Sequence, residues 1–292
     1  MNKAKDLRKL INGEEILVLP GVFDALSAKI AEIVGFKAAA HSGFATAAVR
    51  EGLPDIGLIS FGEMIDQVRK ISMSVSIPIL ADVDTGYGNA VNVYRTVKEF
   101  IFSGASGLFI EDQVWPKRCG HMFGKQIVSL SEMEEKLRAA FKARNEFGDI
   151  VIGARTDAIA VSGIEEAIKR GNRFAELGAD FVFIEAPISK EQIEILPKRV
   201  KAPLLLNMVE GGKTPLMRAK EAQEMGFKII AFPVLGLFTY AKSVMDAFRE
   251  LKEKGSSEDL MNRVLSFDYF VNDVVNNKFY KLLADEVKGD GT

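Results

Sequence analysis

The most constraining feature of this sequence is an alternation of short apolar runs with amphipathic segments, which continues from about residue 14 to about residue 254. The eight runs are Ile16–Leu19, Ala38–Ala40, Ile77–Ala81, Gly107–Ile110, Ile150–Ala154, Phe181–Ile184, Leu204–Leu206 and Ile229–Phe232. Their continuous apolar character is typical of parallel strands buried on both faces. Eight βα units predict an α/β protein with a (β/α)8 TIM barrel. A doubly wound open sheet is the alternative, because periodicity alone does not show closure.

The segments between these runs have the spacing of amphipathic helices. The clearest are residues 24–34, 62–71, 91–102, 131–147, 164–177 and 220–225. Four end in a glycine just before the next strand, as suits a left-handed C-cap: Gly35, Gly104, Gly178 and Gly226. No linker or low-complexity tract interrupts the series. The sequence therefore predicts one catalytic barrel domain over residues 1–255.

A C-terminal extension follows over residues 256–292. It contains two further helical patterns, at 258–265 and 269–281, which predict helices outside the barrel. Their apolar residues need a surface to cover, which is either the flank of the barrel or a neighbouring subunit.

Charge and composition favour a small-molecule partner. The 38 basic and 40 acidic residues give a net charge of -2, so nothing favours nucleic acid or an anionic membrane. No apolar stretch approaches membrane-spanning length, and the N-terminus has no apolar signal core. The single cysteine cannot form an internal disulfide, which indicates a reducing compartment. We expect a cytoplasmic protein.

Polar residues follow six of the eight predicted strands, where a barrel carries its active site. They are His41–Phe44, Asp82–Asn89, Glu111–Asp112, Arg155–Asp157, Glu185, and Asn207 with Glu210–Lys213. Any one of these groups could consist of residues that cap a single strand or helix. Capping does not explain why all of the groups lie at the same ends of the strands. The sequence therefore predicts one shared site.

Three acids at adjacent strand ends indicate a metal site. Asp82 and Asp84 are two residues apart, so both project to one side of an extended strand, and Glu111 follows the next strand. Such a cluster is costly to bury without a cation. Three oxygen ligands without histidine favour Mg2+ or Mn2+ over zinc. Turn capping by Asp84 is the alternative.

Residues 110–125 contain the only Cys, the only Trp and one of the two His of the chain. Cys119 is flanked by Lys117, Arg118 and His121. Neighbouring cations lower the pKa of a thiol, so we expect a reactive cysteine and not an inert buried one. It could act as a nucleophile, an acid or a soft metal ligand. The role best suited to the neighbours is proton donor to a carbanion.

Two further strand ends have the chemistry to bind a carboxylate. Arg155 could pair with Glu185 and reach a substrate carboxylate, although a structural ion pair is equally compatible. Ser42 and Gly43 offer backbone amides and a hydroxyl, or form a simple tight turn. Phe44 could close over a ligand or belong to the core.

Five segments together resemble the isocitrate lyase and phosphoenolpyruvate mutase superfamily. They are E-D-Q-V-W-P-K-R-C-G-H, D-V-D-T-G-Y-G-N, A-R-T-D-A, F-I-E-A-P and N-M-V-E-G-G-K-T-P. The match runs from Leu19 to about Lys254. The K-R-C-G-H motif marks the lyase branch, and within it the chain most resembles the 2-methylisocitrate lyase, 2,3-dimethylmalate lyase and petal death protein group.

The resemblance implies a role for each matching residue. Asp84 would coordinate Mg2+, Asp82 and Glu111 would hold its waters, and Asp55 would lie near those waters. Ser42, Gly43 and Phe44 would cradle a substrate carboxylate, with Arg155 on the C2 oxygen. Gly120, His121, Glu185 and Asn207 would contact the second carboxylate. Lys117 and Cys119 would lie on a mobile loop, and Cys119 would protonate the departing carbanion.

The implied activity is Mg2+-dependent carbon–carbon cleavage of a 2-hydroxy di- or tricarboxylate to pyruvate or another 2-oxo acid. Alternatives are oxaloacetate hydrolysis or decarboxylation, phosphonomutase or phosphonopyruvate hydrolase chemistry, and a catalytically silent binding barrel. Met122–Phe123 replaces a basic residue that commonly follows C-G-H, which weakens the case for a third substrate carboxylate. The resemblance also implies a homotetramer in which C-terminal helices pack on neighbouring barrels.

Overall fold

Eight parallel strands close into a barrel in chain order in the computed structural model, which describes residues 2–288. They are β1 (Leu17–Val22), β2 (Ala39–His41), β3 (Ile79–Asp82), β4 (Gly107–Glu111), β5 (Val151–Thr156), β6 (Phe181–Ile184), β7 (Leu204–Asn207) and β8 (Ile229–Phe232). The first strand closes the barrel on the last, from Leu17 beside Ile229 to Pro20 beside Phe232. The predicted (β/α)8 barrel is confirmed, and the open sheet is excluded.

The helices are α1 (Lys3–Ile11), α2 (Ala25–Val34), α3 (Gly43–Thr46), α4 (Phe61–Ser74), α5 (Ala90–Phe102), α6 (Leu130–Phe147), α7 (Ala158–Ser162), α8 (Ile164–Leu177), α9 (Lys190–Arg199), α10 (Ala219–Met225), α11 (Leu235–Lys254), α12 (Phe267–Tyr269) and α13 (Asn277–Glu286). Gly35, Gly178 and Gly226 end their helices in the left-handed conformation, as predicted. Among residues 2–288, no helix is both long and apolar enough to cross a membrane.

The amino-terminal end of the barrel is covered by α1. Its Leu7 and Ile11 are fully buried and belong to the same apolar cluster as inward-facing strand residues such as Leu19 and Phe109. Gly107 makes this contact possible, because a Cβ there would lie 2.8 Å from Leu7 Cδ2. With this end filled, the opposite end of the strands is left for polar side chains.

The chain divides into two compact units, one ending at Gly236 and the other beginning at Leu237. Most of α11 therefore groups with the C-terminal residues, whereas the predicted boundary after residue 255 stays a prediction. The pattern at 269–281 does not form one helix. Asn276 adopts a left-handed backbone (φ 58°) between a π-helical turn, Phe270–Val274, and α13, and this conformation interrupts the helical hydrogen bonds.

Candidate active site

A first cluster of charged side chains lies beyond β3 and β4 and is centred on Lys117. Its Nζ lies 2.5 Å from Asp55 Oδ1 and 2.8 Å from Asp84 Oδ1, and the side chain is only 4% exposed. Asp82 Oδ1 accepts a hydrogen bond from the backbone N–H of Asp84 at 3.0 Å. Although burial opposes the charge of Lys117, the carboxylates around it, chiefly Asp84, Asp55 and Glu111, raise its pKa well above the usual value.

The carboxylates of this cluster are short of positive charge. Neither oxygen of Glu111 accepts a hydrogen bond from any residue in the described range 2–288, although Arg155 Nη1 lies 3.3 Å from Oε2. Burial raises the pKa of Glu111 well above its usual range. Burial also raises the pKa of Asp84 to about 6, despite Lys117. A divalent cation would supply the missing charge.

The donor chemistry fits Mg2+ or Mn2+. Asp84, Glu111 and Asp82 supply only hard oxygens, as these ions prefer. Over residues 2–288, no three acidic, His or Cys side chains enclose a metal by themselves. Mg2+ does not require such a cage, since it is usually held by one or two carboxylates together with water and substrate. The assignment of Asp82, Asp84 and Glu111 as metal ligands stays a prediction.

Arg155 joins the first cluster to a second one. Its Nε and Nη2 donate to the carboxylate of Asp157 at 2.9 and 3.2 Å, and Glu111 is the next nearest acid. The predicted pairing with Glu185 is present but long, with 3.9 Å between Nη2 and Oε1. The main partner of Arg155 is therefore an acid two residues away on the same strand end.

Glu185 is the centre of the second cluster. His121 Nε2 lies 3.2 Å from Glu185 Oε1, and Asn207 Nδ2 donates to Oε2 at 3.3 Å. The backbone N–H of Lys213 donates to His121 Nδ1 at 2.9 Å, which leaves the ring proton of a neutral His121 on Nε2, facing Glu185. Gly120 packs so closely that a Cβ there would lie 2.0 Å from Glu185 Oε1.

The charge of Glu185 is well compensated, unlike that of Glu111. Burial alone would raise the pKa of Glu185, but Arg155, His121 and Lys125 hold it at about 2. The two clusters therefore differ in electrostatics: the first is short of positive charge, and the second carries a stable carboxylate within a hydrogen-bonded frame.

The predicted mobile loop is folded over both clusters. We call residues 113–127 the cysteine loop. Its two ends pair as an antiparallel bridge between Gln113 and Ile127, and the Gln113 side chain forms hydrogen bonds of 2.8 and 3.0 Å with the backbone of Arg118. The side chain of Lys117, a residue of the loop, is buried against Asp55 and Asp84, so the structure has the loop closed.

Cys119 lies in this closed loop, and its backbone N–H donates to Asp55 O at 3.0 Å. The expectation that neighbouring cations lower its pKa is wrong. Burial and the charge of Asp55 raise the pKa of the thiol to about 11, against an opposing hydrogen bond from the His121 backbone. The side chains of Lys117 and His121 are engaged by carboxylates, so they do not stabilise a thiolate. Cys119 therefore holds its proton at neutral pH.

The segment after C-G-H faces solvent. Met122 is 38% and Phe123 83% exposed, so neither fills the substrate pocket. Lys213 covers this segment, with Nζ 3.3 Å from Met122 O and 4.0 Å from the centre of the Phe123 ring. The missing basic residue thus gives no argument against a third substrate carboxylate, and the number of carboxylates stays open.

The predicted carboxylate cradle lies against the first cluster. Ser42 caps α3, where its Oγ accepts a hydrogen bond from the backbone N–H of Ala45 at 3.2 Å. A Cβ on Gly43 would lie 2.8 Å from Asp82 Oδ2. Phe44 is half-buried. The roles of these three residues in substrate binding stay predictions.

Sequence reasoning gave no individual role to four residues that the fold places at the site, although Tyr87 and Asp157 lie in the predicted strand-end groups. Asp157 and Lys125 form a buried ion pair of 2.7 Å, and Gln113 fixes the start of the cysteine loop. The hydroxyl of Tyr87 is buried with no hydrogen-bond partner among residues 2–288, and the charges of Asp84 and Asp82 help to raise its pKa. Tyr87, Gln113 and Asp157 carried a signal, because each lies in one of the segments that resemble the superfamily. Lys125 lies outside these segments, and a lysine after a glycine has the pattern of a surface lysine.

The profile of the family described as phosphoenolpyruvate phosphomutase matches residues 7–252, which include every residue of both clusters. The chain belongs to this family. The resemblance to the phosphoenolpyruvate mutase and isocitrate lyase superfamily is thereby confirmed, and members of this superfamily are lyases and mutases.

Three relatives carry the names of the predicted subgroup. The chain is 39% identical to the 2,3-dimethylmalate lyase of Eubacterium barkeri, over 94% of each chain. It is 39% identical to the petal death protein of Dianthus caryophyllus, over 94% of this chain and 87% of the relative. It is 42% identical to the 2-methylisocitrate lyase of Aeropyrum pernix, over 88% of this chain and 82% of the relative.

Solved structures of the superfamily have the same fold. An oxaloacetate acetylhydrolase in complex with the inhibitor 3,3-difluorooxalacetate superposes with a TM-score of 0.93 at 35% identity, covering 100% of this chain and 99% of the other. A phosphonopyruvate hydrolase in complex with oxalate and Mg++ superposes with a TM-score of 0.86 at 28% identity, covering 99% of both chains. The superfamily therefore includes a member with Mg2+ bound.

Proposed function

We propose that this protein is a Mg2+-dependent carbon–carbon lyase that cleaves a 2-hydroxy di- or tricarboxylate to pyruvate or another 2-oxo acid and a carboxylic acid. Substrates of the 2-methylisocitrate or 2,3-dimethylmalate kind fit best, because relatives with those names match most of the chain. The observation that carries the proposal is the place of Cys119 in a closed loop beside two charged clusters, where burial raises the pKa of its thiol.

The two clusters would bind different parts of the substrate. Asp84 and Glu111, with Asp82 behind them, would hold the cation, which supplies Lewis-acid stabilisation of oxygen charge at C2. Arg155 lies between the clusters and is positioned to donate to an oxygen at C2. Asn207 Nδ2 has a second hydrogen that would meet the second carboxylate, and His121 and the backbone of Gly120 would lie beside it. The closed cysteine loop keeps water away from the reacting carbon.

The chemistry requires one proton to leave oxygen and one to reach carbon. The C2 hydroxyl proton passes to a base, the C2–C3 bond breaks, and its electron pair stays on C3. The Cys119 thiol then donates its proton to C3 and becomes a thiolate. The thiolate is protonated again by the proton that the base took from the C2 hydroxyl. With a pKa of about 11, the thiol outnumbers the thiolate by roughly 10⁴ to one at pH 7. Asp55, held against Lys117, is our candidate for relaying the hydroxyl proton.

A substrate panel tests the proposal. The purified protein is incubated with Mg2+ and, separately, 2-methylisocitrate, 2,3-dimethylmalate, isocitrate, oxaloacetate and phosphonopyruvate, and release of 2-oxo acid or oxalate is measured. We expect turnover of at least one 2-hydroxy acid, lost on chelation of the metal. Absence of turnover with every member of the panel would sink the lyase proposal.

Replacing Cys119 by Ser separates the lyase from phosphonate chemistry on the same scaffold. We expect kcat for the 2-hydroxy acid to fall by about 10²–10⁴, because proton donation by a positioned side chain contributes a factor of this size. The circular dichroism spectrum and Mg2+ affinity should not change. A phosphonomutase adds no proton to carbon, and the pyruvate enolate left by a phosphonopyruvate hydrolase takes its proton from water after release, so full activity of C119S on phosphonopyruvate would favour that alternative.

Oxaloacetate hydrolysis is the second candidate, favoured by the close superposition on an oxaloacetate acetylhydrolase. It predicts oxalate and acetate as products, which distinguishes it from carbon–carbon cleavage of a 2-hydroxy acid. A catalytically silent barrel would bind neither Mg2+ nor oxalate in calorimetry. The mechanism needs Cys119 as a free thiol, which suits a reducing compartment such as the cytoplasm.

A further inference from the structure

Lys125 is a buried lysine at the end of the cysteine loop, and its ammonium group lies inside the site. The side chain is only 1% exposed, and Nζ lies 2.7 Å from Asp157 Oδ1. The same Nζ donates a hydrogen bond to the backbone carbonyl of Gly120. One cation thus joins the middle of the loop to the end of β5. A lysine is buried so completely only when its charge is compensated.

The contact with Asp157 extends to the substrate-binding arginine. Asp157 also accepts both hydrogen bonds from Arg155, and its own backbone N–H donates to Asp112 Oδ1 at 2.9 Å. Asp157 is fully buried, so it cannot move to a different position in solvent. Lys125 and Arg155 therefore share one fixed carboxylate, which sets the distance between the loop and the arginine.

The contact with Gly120 extends to the second cluster. Gly120 packs directly on Glu185, and the next residue, His121, also reaches Glu185. A carbonyl bound to a buried ammonium is a charge-assisted hydrogen bond, stronger than a neutral one. Cys119 immediately precedes Gly120, so the position of its thiol depends on where this carbonyl is held.

We propose that Lys125 is a positioning residue that keeps the cysteine loop closed, because it ties the Gly120 carbonyl to the Asp157 carboxylate that also orients Arg155. It does not touch the reacting atoms; it acts through Gly120 and Asp157. The inference rests on the proposed function in one respect only, namely that catalysis requires a closed cysteine loop. Closure itself is a property of the protein without substrate.

The reactivity of Cys119 measures closure directly, since it is the only cysteine in the chain. Its modification by 5,5′-dithiobis(2-nitrobenzoate) is followed without substrate or metal, under conditions in which the rate tracks the open fraction of the loop. We expect Lys125→Met to react roughly tenfold faster than the wild type or more, because a charge-assisted hydrogen bond and an ion pair are lost. Asp157 stays paired with Arg155, so the variant does not leave this carboxylate without a cation.

Two further variants separate positioning from general loosening. Lys125→Gln keeps a donor for Gly120 but loses the charge, and we expect a rate between those of wild type and Lys125→Met. If Lys125→Met does not fold, Lys125→Gln takes its place in the test. Lys136→Met removes another buried lysine, on α6, whose Nζ lies 3.4 Å from Thr85 O outside the loop. We expect Lys136→Met to react within about twofold of the wild type.

Trp115, the only tryptophan, lies in the same loop and gives a second signal. It packs beside Tyr87 with ring centres 6.0 Å apart, so opening should shift its emission to longer wavelength in Lys125→Met. Folded Lys125 variants with wild-type cysteine reactivity and Trp115 emission would overturn the proposal. An equal acceleration in Lys136→Met would also overturn it. Because no substrate is used, the result is independent of the outcome of the substrate panel.

Discussion

Single residues at this site are governed by burial more than by sequence neighbours. Cys119 has three basic neighbours in the sequence, yet burial and Asp55 raise its pKa to about 11. Glu111 lies 3.3 Å from Arg155, yet the pKa of Glu111 is also raised, because burial outweighs the attraction of the arginine. Neighbours in the sequence therefore predicted the wrong direction of the pKa shift for Cys119.

Gly120 should not tolerate a side chain. A Cβ would lie 2.0 Å from Glu185 Oε1, and Glu185 is held by Asn207 and His121, so the loop has to move instead. We expect Gly120→Ala to lower kcat/KM about 10²-fold, since a displacement near 1 Å costs this much. Cys119 should also react faster with the thiol reagent.

Gly62 provides the matched control for Gly120. It lies in α4, and a Cβ there would meet only Ser60 Oγ at 3.8 Å, an ordinary contact. Gly62→Ala should keep wild-type kcat/KM and Cys119 reactivity. Wild-type values for Gly120→Ala as well would contradict the tight packing of the loop on Glu185.

Mg2+ should stabilise the fold through Asp84. A ligand at 100 times its Kd stabilises the native state by about 2.7 kcal/mol, which raises Tm of a chain of this size by roughly 4 °C. We expect this rise for the wild type and its loss in Asp84→Asn, measured by calorimetry with and without Mg2+. Asn suits this position, because Asp84 has a left-handed backbone with φ 49°.

Asp66 is the control for Asp84. It lies on α4, where it pairs with Lys70 and Arg50 at the surface. Asp66→Asn should show the same Mg2+-induced rise in Tm as the wild type. If Asp84→Asn keeps the full rise, the cation is not bound by Asp84.

The contacts of Lys117 and Lys125 could not be predicted from sequence, and the reason is the path of the loop. Strand ends are fixed by the barrel, so Asp82, Asp84, Glu111 and Arg155 were predicted to converge without any knowledge of loops. The pairs Lys117–Asp55 and Lys125–Asp157 join residues 62 and 32 positions apart. These pairs form only because the cysteine loop folds back over the strand ends. The path of the loop has no periodic pattern in the sequence from which it could be predicted.

Helix α1 is the element that holds the end of the barrel opposite the site. Arg8 on its surface makes two hydrogen bonds to Asp149, at 2.9 and 2.8 Å, and a third to Asp180 at 3.0 Å. These acids precede β5 and β6, so one guanidinium connects the helix to two strands. Its buried Leu7 and Ile11 add apolar contact on the other side.

The contribution of Arg8 should depend on pH. Its hydrogen bonds lower the pKa of Asp149, so this stabilisation is present above the unfolded pKa of about 3.9 and is lost as pH falls through the lower folded pKa. We expect Arg8→Met to cost about 1–2 kcal/mol of unfolding free energy at pH 7. The difference from the wild type should shrink below pH 4.

Urea unfolding followed by Trp115 fluorescence at pH 7 and pH 3.5 measures this difference. Lys5→Met, which removes an exposed lysine from the same helix, is the control and should change stability by less than about 0.5 kcal/mol. A cost for Arg8→Met that is the same at both pH values would contradict a role for the Asp149 carboxylate.

Elements of the barrel were predictable because their signals are local and repeated. The predicted ends of β6 and β8 match the structure, and most other strand ends lie within two residues of it. The C-terminal helices were less predictable. The pattern at 269–281 has helical spacing, yet Asn276 adopts a left-handed backbone conformation there. The preference of asparagine for this conformation is too weak to be predicted against a helical pattern.

At the scale of the whole molecule, the unit from Leu237 onward leaves many large apolar side chains exposed. They include Tyr240, Met245, Phe248, Val264, Leu265, Phe267, Phe279, Tyr280, Leu282 and Val287. Monomers seldom expose apolar surface in this density. We therefore propose that these residues contact another copy of the chain, as expected for a homotetramer; exchange of helices between subunits stays a prediction.

Negative charge introduced on this surface by substitution should dissociate the assembly. Phe267 is 84% and Phe279 52% exposed, so the double variant F267D/F279D should fold normally and yet place unpaired charge in an apolar interface. Sedimentation velocity should give about four times 32.1 kDa for the wild type and a smaller mass for the variant. Met73, 79% exposed on α4, supplies the control: Met73→Asp should sediment as the wild type. A wild-type mass of one chain would contradict the proposed assembly, because the exposed apolar residues would then have no partner copy.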